Sequence, residues 1–199
     1  MRCEIRFAIL DYGVGNLFSL RTALQREGVE TFLAKGKRGL RDADAVVLPG
    51  VGGFRTAAKG LPHELRDLAK SGKPTIGICL GMQLFLERSE EGLGEGLGLF
   101  PGAARRLPPE VKVPQIGWNT IRVKRETEFT QGLLGESWVY YVHSYYPDTK
   151  GDWVLATTHY GTEFPAIIGQ KNIVGTQFHP EKSGPAGAQI LRNILRMAR

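Results

Sequence analysis

Hydrophobic residues in the first half of the chain form short blocks that alternate with helical patterns. Arg2–Leu10 carries Ile5, Phe7 and Ile9 on one face at a spacing of two, which predicts a β-strand with one buried face. Ala45–Leu48 is a continuous apolar run, typical of a strand buried on both faces. The predicted elements are strands over Arg2–Leu10, Val29–Ala34, Ala45–Leu48 and Thr75–Ile78, a helix capped by Asn16 and ending near Gly28, an interrupted helix over Phe54–Ser71, and a helix after Cys79.

The second half has a different pattern. After Glu91 the chain is glycine-rich and then contains short β-type runs, which predict hairpins packed on, or added to, the edge of a sheet. These runs are Thr120–Val123, Trp138–Val142, Val154–Thr158, Ala166–Gly169 and Ile173–Phe178. An amphipathic helix closes the chain, with Ile190, Leu191, Ile194, Leu195 and Ala198 on one face.

Repeated strand–helix alternation favours parallel strands covered by helices. We therefore predict an α/β fold with a mostly parallel central sheet flanked by helices and with added antiparallel strands in the C-terminal half. The length of 199 residues suits a single domain over 1–199.

Composition and charge exclude several classes of protein. The net charge of +6 comes from scattered basic residues with only short clusters such as 35–38, so we expect a solvated basic surface and no nucleic-acid site. Cys3 and Cys79 are too few for a disulfide framework, which favours a reducing cytoplasm. No stretch approaches the roughly 20 apolar residues of a membrane span, and the first apolar run predicts a strand rather than a signal peptide.

The segment Thr75–Gly81 reads TIGICLG and joins a predicted strand to a predicted helix. Its Gly-x-Cys-x-Gly has the spacing of a nucleophile elbow, a tight turn that exposes one side chain above a sheet. At a helix N-terminus, free N–H groups and the helix dipole favour a thiolate at Cys79. The motif alone leaves a second interpretation open, a buried cysteine that acts as a small hydrophobe.

Two other glycine-rich loops follow predicted strands. Pro49–Phe54 contains three glycines and suits a backbone that approaches a ligand closely, although an ordinary turn would use the same residues. Gly13 and Gly15 match the start of a dinucleotide loop, but Phe18 stands where the third glycine of GxGxxG is required. We therefore expect no nucleotide cofactor.

His179 and Glu181 lie two residues apart in a late segment, with the stiff Pro180 between them. In extended backbone they point the same way, so the carboxylate can fix the imidazole tautomer and the imidazole can take a proton from a thiol. With Cys79 they form a nucleophile, a base and an orienting acid, as a neutral couple or as an ion pair. No pair of histidines has metal-ligand spacing, so we expect no metal and no cofactor.

GICLGMQ at residues 77–83 and QFHPEKS at 177–183 resemble the class I glutamine amidotransferases that use a Cys-His-Glu triad. The motifs Asp11–Leu17, Pro49–Gly52, Gly117–Asn119 and Val142–Tyr145 narrow the resemblance to the glutaminase subunits of imidazole glycerol phosphate synthase, in histidine biosynthesis. The resemblance spans nearly the whole chain. That family usually has Pro-His before its Gly-Trp-Asn, whereas Gln115 stands here in place of the histidine.

The resemblance implies roles for individual residues. Cys79 would attack the side-chain carbonyl of glutamine, form a thioester and release ammonia, while His179 moves protons and Glu181 orients it. The resemblance assigns the oxyanion hole to Gly50, Val51, Gly52 and Leu80, and glutamine binding to Gln83, Glu91, Ser144 and Tyr145. Without the resemblance, the pattern of residues also fits a solvated helix residue at Gln83 and a surface acid at Glu91.

The same resemblance implies a partner, because free ammonia is protonated and lost in water. In the family a separate (β/α)8-barrel cyclase subunit receives the ammonia and makes imidazole glycerol phosphate and an aminoimidazole carboxamide ribotide. We thus expect a heterodimer, with Trp118, Asn119, Tyr140 and Lys182 at or near the interface. Two alternatives to an interface role remain open: Trp118 could belong to the core, and Lys182 could simply be solvated.

Two other functions fit parts of the pattern. A stand-alone Cys-His-Glu hydrolase, for example a glutamyl peptidase, would share the fold and need no partner. A binding or regulatory subunit would keep the fold without its chemistry, but Cys79, His179 and Glu181 are all present, which argues against it.

Overall fold

The structure, a computed structural model, describes residues 5–11, 17–34, 37–50, 52–133 and 135–198. Several positions discussed above lie outside these residues. They are Cys3, the expected cap Asn16, Val51, and the Gly13 and Gly15 pair with most of the Asp11–Leu17 motif. The strands are β1 (Arg6–Leu10), β2 (Glu30–Ala34), β3 (Ala45–Leu48), β4 (Thr75–Ile78), β5 (Arg88–Ser89), β6 (Ala103–Arg106), β7 (Gln115–Val123), β8 (Glu136–His143), β9 (Tyr145–Asp148), β10 (Val154–Tyr160), β11 (Thr162–Gln170) and β12 (Ile173–Thr176). The helices are α1 (Phe18–Arg26), α2 (Lys37–Arg41), α3 (Phe54–Gly60), α4 (Leu65–Lys70), α5 (Leu80–Gln83) and α6 (Gly184–Met197), with a 3-10 turn at Pro180–Lys182.

The larger sheet has nine strands in the order β2-β1-β3-β4-β12-β11-β10-β7-β8. The pairings from β2 to β12 are parallel, and those from β12 to β8 are antiparallel. The predicted fold of parallel strands with added antiparallel strands is confirmed. β12 forms the expected antiparallel hairpin with β11, and it also pairs in parallel with β4, with Thr176 opposite Ile78, which the sequence does not predict. The segments that follow β4 and β12 therefore leave the same edge of the sheet side by side.

β1 is buried on both faces, whereas its alternation predicted one buried face. Phe7 and Ile9 belong to one hydrophobic cluster, and Ala8 and Leu10 belong to a second cluster. Because β1 lies between β2 and β3 in the sheet, each face of the strand has its own core.

The closing helix is confirmed as an amphipathic one. Ile190, Leu191, Ile194 and Leu195 of α6 are buried in the same cluster as Phe7. Burying such a side chain contributes roughly 1.5–3 kcal/mol each, so this face attaches the helix firmly to the sheet. Among the helices of the described residues, none is both long and apolar enough to cross a membrane.

The helix after Cys79 is shorter than its apolar pattern predicted. α5 ends at Gln83, and Leu84 and Phe85 follow in turns although both are fully buried. Their carbonyls accept hydrogen bonds from a distant loop, with Leu97 N at 2.7 Å from Leu84 O and Leu99 N at 2.8 Å from Phe85 O. Long-range backbone bonds thus replace the next helical turn. The small sheet β5-β6-β9 was not predicted either.

Candidate active site

Cys79 occupies a tight turn between β4 and α5. Its backbone has φ 50° and ψ −104°, a conformation that is costly for a residue with a side chain. A Cβ on Gly77 would lie 2.7 Å from Gly81 C, and a Cβ on Gly81 would overlap Leu48 O. Both glycines of Gly-x-Cys-x-Gly are therefore required by close backbone approach. The Cys79 N–H donates to Thr176 O at 2.7 Å, which fixes the turn to β12.

His179 and Glu181 form a buried pair beyond the end of β12. Nδ1 of His179 lies 2.8 Å from Oε1 of Glu181, and the two side chains are only 6% and 7% exposed. The His179 N–H donates to Tyr140 O at 2.9 Å, and the Ser183 hydroxyl donates to His179 O at 2.6 Å. These bonds hold the segment against β8, so the imidazole has a defined orientation.

The structure brings Cys79 and His179 together at one point, Gly50. A Cβ on Gly50 would lie 2.8 Å from Cys79 Cβ and 3.0 Å from His179 Cε1, so only glycine leaves room for both side chains. Nε2 of His179 has no hydrogen-bond partner among the described residues, and it is the ring nitrogen that Glu181 does not occupy. This nitrogen is the one placed for proton transfer with a substrate or the thiol.

Electrostatics favour the charged form of His179. Burial lowers the pKa of this imidazole, but its interactions with the Cys79 sulfur and the Glu181 carboxylate outweigh burial and raise the pKa to about 10. The ring therefore carries a proton at neutral pH.

Gln177 also contacts the sulfur, and sequence reasoning missed it. Its Nε2 lies 3.4 Å from Cys79 Sγ, and its side chain is fully buried. Val142 O lies 3.8 Å from the same sulfur. The available signal was the spacing: Gln177, His179 and Glu181 follow one another at intervals of two.

The residues expected to form the oxyanion hole surround Cys79 in part. Gly50 touches the site as described, and Leu80 begins α5 directly after Cys79. Gly52 has φ +91°, in the region that favours glycine, and Val51 lies outside the described residues. The assignment of these backbone groups to an oxyanion stays a prediction.

The residues expected to bind glutamine have well-defined contacts of their own. Gln83 is buried and donates through Nε2 to Tyr145 O at 2.7 Å. Ser144, the residue before Tyr145, joins β8 to β9. Glu91 accepts the N–H of Phe54 at 2.8 Å, at the end of the glycine loop. The solvated position considered for Gln83 is wrong, and the substrate contacts themselves stay predictions.

Three of the four expected interface residues cluster on one face of β7 and β8. The rings of Trp118 and Tyr140 are 5.9 Å apart, and Lys182 Nζ lies 5.8 Å from the Tyr140 ring. Trp118 is 53% exposed, so a core position for it is wrong. Asn119 points away from Trp118 because neighbouring strand residues alternate, and it donates to His159 O at 3.0 Å.

Comparisons with known proteins agree with this geometry. The sequence profile of the family described as glutamine amidotransferase class-I matches residues 8–198. An imidazole glycerol phosphate synthase subunit HisH from Bacillus cereus is 46% identical over 193 residues, which is 94% of this chain and 92% of that protein. Its counterpart from Methanosarcina mazei is 46% identical over 199 residues, 96% and 98% of the two chains. The chain belongs to the class-I glutamine amidotransferases, in the HisH family.

Solved structures of more distant proteins share the fold. A Thermoplasma acidophilum protein named as part of a GMP synthase has a TM-score of 0.74 at 19% identity and covers 100% of this chain and 96% of its own. PurLQS from Thermotoga maritima has a TM-score of 0.75 at 21% identity and covers 99% and 100%. The arrangement of strands around Cys79 is therefore that of a common amidotransferase fold.

The departure from the family pattern at Gln115 falls on a buried pair. The Gln115 carboxamide lies 2.9 Å from Nε2 of His143, whose Nδ1 lies 2.8 Å from Tyr145 O. Burial lowers the pKa of His143 to about 4, and the charge on His179 acts in the same direction. His143 is therefore neutral at pH 7. Among the described residues, no three side chains of the metal-binding types cluster closely enough to hold an ion.

Proposed function

We propose that this chain hydrolyses glutamine to glutamate and ammonia and delivers the ammonia to a cyclase subunit. The observation that carries the proposal is Cys79 on its elbow, beside an imidazole that a buried carboxylate holds at 2.8 Å. The family described as glutamine amidotransferase class-I supports glutamine as the substrate. The relatives named as subunits of imidazole glycerol phosphate synthase support a partner subunit.

The proposed chemistry starts from the ion-pair form, with a thiolate on Cys79 and a proton on His179. The Cys79 sulfur attacks the carboxamide carbon, and the C–N bond breaks as His179 gives its proton to the departing nitrogen, which leaves as ammonia. Water then attacks the thioester, His179 accepts a proton from it, and glutamate leaves as the thiolate re-forms. Glu181 keeps the ring in one tautomer and stabilises its charge throughout.

The negative oxygen of each tetrahedral intermediate needs donors. We assign this role to the N–H of Leu80, which directly follows Cys79 in the chain, and to the backbone of Gly50, which packs against the Cys79 side chain. The family resemblance adds Val51 and Gly52. Losing one such donor costs on the order of 100- to 1000-fold in rate, so the orientation of this loop can control activity.

For glutamine itself we assign four residues around the elbow. Gln83 uses both hydrogens of its NH2 group within the protein, which leaves its oxygen as the group that meets the substrate. Glu91 offers a carboxylate for the α-ammonium group. Ser144 and Tyr145, where β8 turns into β9, form the pocket wall.

The exposed face of β7 and β8 is the proposed contact with the partner. Trp118, Tyr140 and Lys182 combine aromatic surface with one positive charge, which suits a protein interface, and Asn119 adjoins them. The partner is a (β/α)8-barrel cyclase that makes imidazole glycerol phosphate and aminoimidazole carboxamide ribotide. The pair works as a cytoplasmic heterodimer, without a cofactor in the glutaminase chain.

The test measures ammonia release from glutamine by the chain alone and with the cyclase partner and its nucleotide ligand. We expect release to rise with the partner and ligand, and to fall to background in Cys79→Ala. Equal release with and without the partner would instead support the stand-alone hydrolase. Unchanged release by Cys79→Ala would refute the triad.

A further inference from the structure

Two buried carboxamides form a relay that ends on the sulfur of Cys79. Gln83 donates through Nε2 to Tyr145 O at 2.7 Å and to Oε1 of Gln177 at 3.1 Å. Gln177 donates through Nε2 to Cys79 Sγ at 3.4 Å. The exposed fractions of Gln83, Gln177 and Cys79 are 3%, 0% and 5%, so the relay is shielded from water.

The far end of the relay fixes its direction. The oxygen and nitrogen of a carboxamide exchange places by rotation, so the hydrogen-bond network must assign them. Tyr145 O is a backbone carbonyl and can only accept, which requires Gln83 to turn its NH2 group toward it. The second hydrogen of that group meets Gln177, which must present its oxygen there. The NH2 group of Gln177 is then left facing the sulfur.

We infer that Gln177 is a positioning residue that stabilises the thiolate of Cys79, and that Gln83 holds the Gln177 carboxamide in the required direction. An N–H donor favours a negative sulfur over a thiol, and burial strengthens the interaction. The inference deepens the proposed glutaminase function, and rests on it for the use made of the thiolate.

Other groups around the sulfur act separately from this relay. His179 is the cation that interacts with it, with Glu181 behind the ring. Val142 O, at 3.8 Å, opposes the effect because it accepts from a thiol. His143, next to Val142, is neutral above about pH 4 because burial lowers its pKa to about 4. Gln177 has no titratable group, so its contribution persists wherever His179 stays charged.

The test is the rate at which iodoacetamide alkylates Cys79 as a function of pH, in the full chain, with the modified peptide resolved by mass spectrometry from Cys3. Gln177→Met keeps the length of the side chain but has no donor. We expect its alkylation midpoint to move to higher pH and its rate at pH 7 to fall about 3- to 10-fold. Gln177→Glu places an oxygen where the NH2 group was, and we expect a larger fall.

Two further variants complete the design. Gln83→Met releases the Gln177 carboxamide, so we expect a shift in the same direction but smaller. Thr158→Val removes a buried hydroxyl that donates to Thr120 O at 2.7 Å and does not touch the sulfur, and its midpoint should equal that of the parent chain.

An unchanged midpoint in folded Gln177→Met and Gln177→Glu would overturn the inference. If circular dichroism shows that neither variant folds, an unchanged midpoint in Gln83→Met overturns it instead. Alkylation needs no glutamine turnover, so the two proposals fail separately. A shifted midpoint in a chain that never releases ammonia would refute the proposed function and support the role of Gln177.

Discussion

In the proposed reaction, Glu181 acts through a single hydrogen bond. Its Oε1 lies 2.8 Å from Nδ1 of His179, with both side chains almost completely buried. In such an environment a carboxylate stabilises the imidazolium strongly, because little water screens the two charges. The bond also frees Nε2, the opposite ring nitrogen, for proton transfer.

We therefore predict that Glu181→Gln lowers kcat for glutamine hydrolysis on the order of 100- to 10,000-fold, with little change in KM. The neutral amide can still accept from Nδ1, but it no longer stabilises the charge, so the pKa of His179 falls. The high-pH limb of the activity profile should move to lower pH. Ammonia release measured between pH 6 and 10 checks both effects.

The matched control is Glu163→Gln, which removes an exposed acid 3.7 Å from Lys124. Surface ion pairs of this kind contribute about 0–1 kcal/mol, so activity and profile should match the parent chain. A Glu181→Gln profile superimposable on that of the control would show that the carboxylate charge has no role.

At the scale of residues, the sequence was sufficient where chemistry and spacing coincide. Cys79 between two glycines comes together with His179 as predicted. His179 also meets Glu181, but Glu181 lies in the 3-10 turn Pro180–Lys182 and not in the extended backbone that the spacing argument assumes. Gln177 was missed because a glutamine has no characteristic reactivity, and its importance depends on which atom it meets. Gln83 was expected to face the substrate, and only coordinates show that its NH2 group is used inside the protein.

The strand β4, the elbow and the helix α5 form one unit whose geometry depends on two glycines. The carbonyl of Leu48 on β3 lies against Gly81, and Gly81 lies against Gly77. Any added methyl group must push α5 away from the sheet. The conformation of Cys79 depends on this packing, since φ 50° is unfavourable without it.

Gly81→Ala should accordingly destabilise the chain by about 1–3 kcal/mol or more, as overpacking does in rigid cores. The added Cβ meets a backbone oxygen, which cannot move aside as a flexible side chain would. Urea unfolding followed by circular dichroism measures the change. Alkylation of Cys79 should fall as well, because the elbow is displaced.

The matched control is Gly92→Ala, the same glycine-to-alanine substitution at a position with more room. A Cβ on Gly92 would meet Arg55 Cβ at 3.5 Å, an ordinary van der Waals distance. Its free energy of unfolding should stay within about 0.5 kcal/mol of the parent value. If both glycine variants unfolded at the same urea concentration, the packing argument for the elbow would be wrong.

At the scale of elements, buried strands were easier to predict than their partners. Ala45–Leu48 and Thr75–Ile78 appear with the predicted bounds because continuous apolar runs have few other solutions. The end of α5 depends on carbonyls that bond to the loop before Pro101, and no local pattern reveals that loop. β6 and β9 are short, and their pairing joins residues far apart in the chain, such as Ala103 and Asp148.

The order of strands assembles the site from distant parts of the whole chain. β12 enters the sheet beside β4 although nearly a hundred residues separate Ile78 from Thr176. Periodicity identifies a strand but not its neighbour, so the position of β12 could not be derived from its own residues. The resemblance of two motifs to one family predicted only that Cys79 and His179 meet, and the strand pairing that brings them together is seen in the structure alone.

His143 makes the stability of the whole molecule depend on pH. Burial, together with the charge on His179, lowers its pKa to about 4, against an ordinary value near 6.5. Between these values the unfolded chain binds a proton at this residue and the folded chain does not. The contribution of His143 to the free energy of unfolding is therefore fully present above pH 6.5. It is lost as the pH falls toward 4, by roughly 3 kcal/mol in all.

His179 does not obscure this effect, because its pKa is shifted the other way, to about 10. Below pH 6.5 it is protonated in both states, so it adds no slope there. We predict that the drop in the free energy of unfolding between pH 7 and 4.5 is smaller in His143→Gln than in the parent chain by roughly 2–3 kcal/mol. Urea titrations at both pH values give the four free energies of unfolding that are needed. The contributions of the carboxylates are the same in both chains and cancel in the comparison.

The control is His63→Gln, at an exposed position, which should retain the full drop. A drop in His143→Gln equal to that of the parent chain would mean that His143 is protonated in the folded protein.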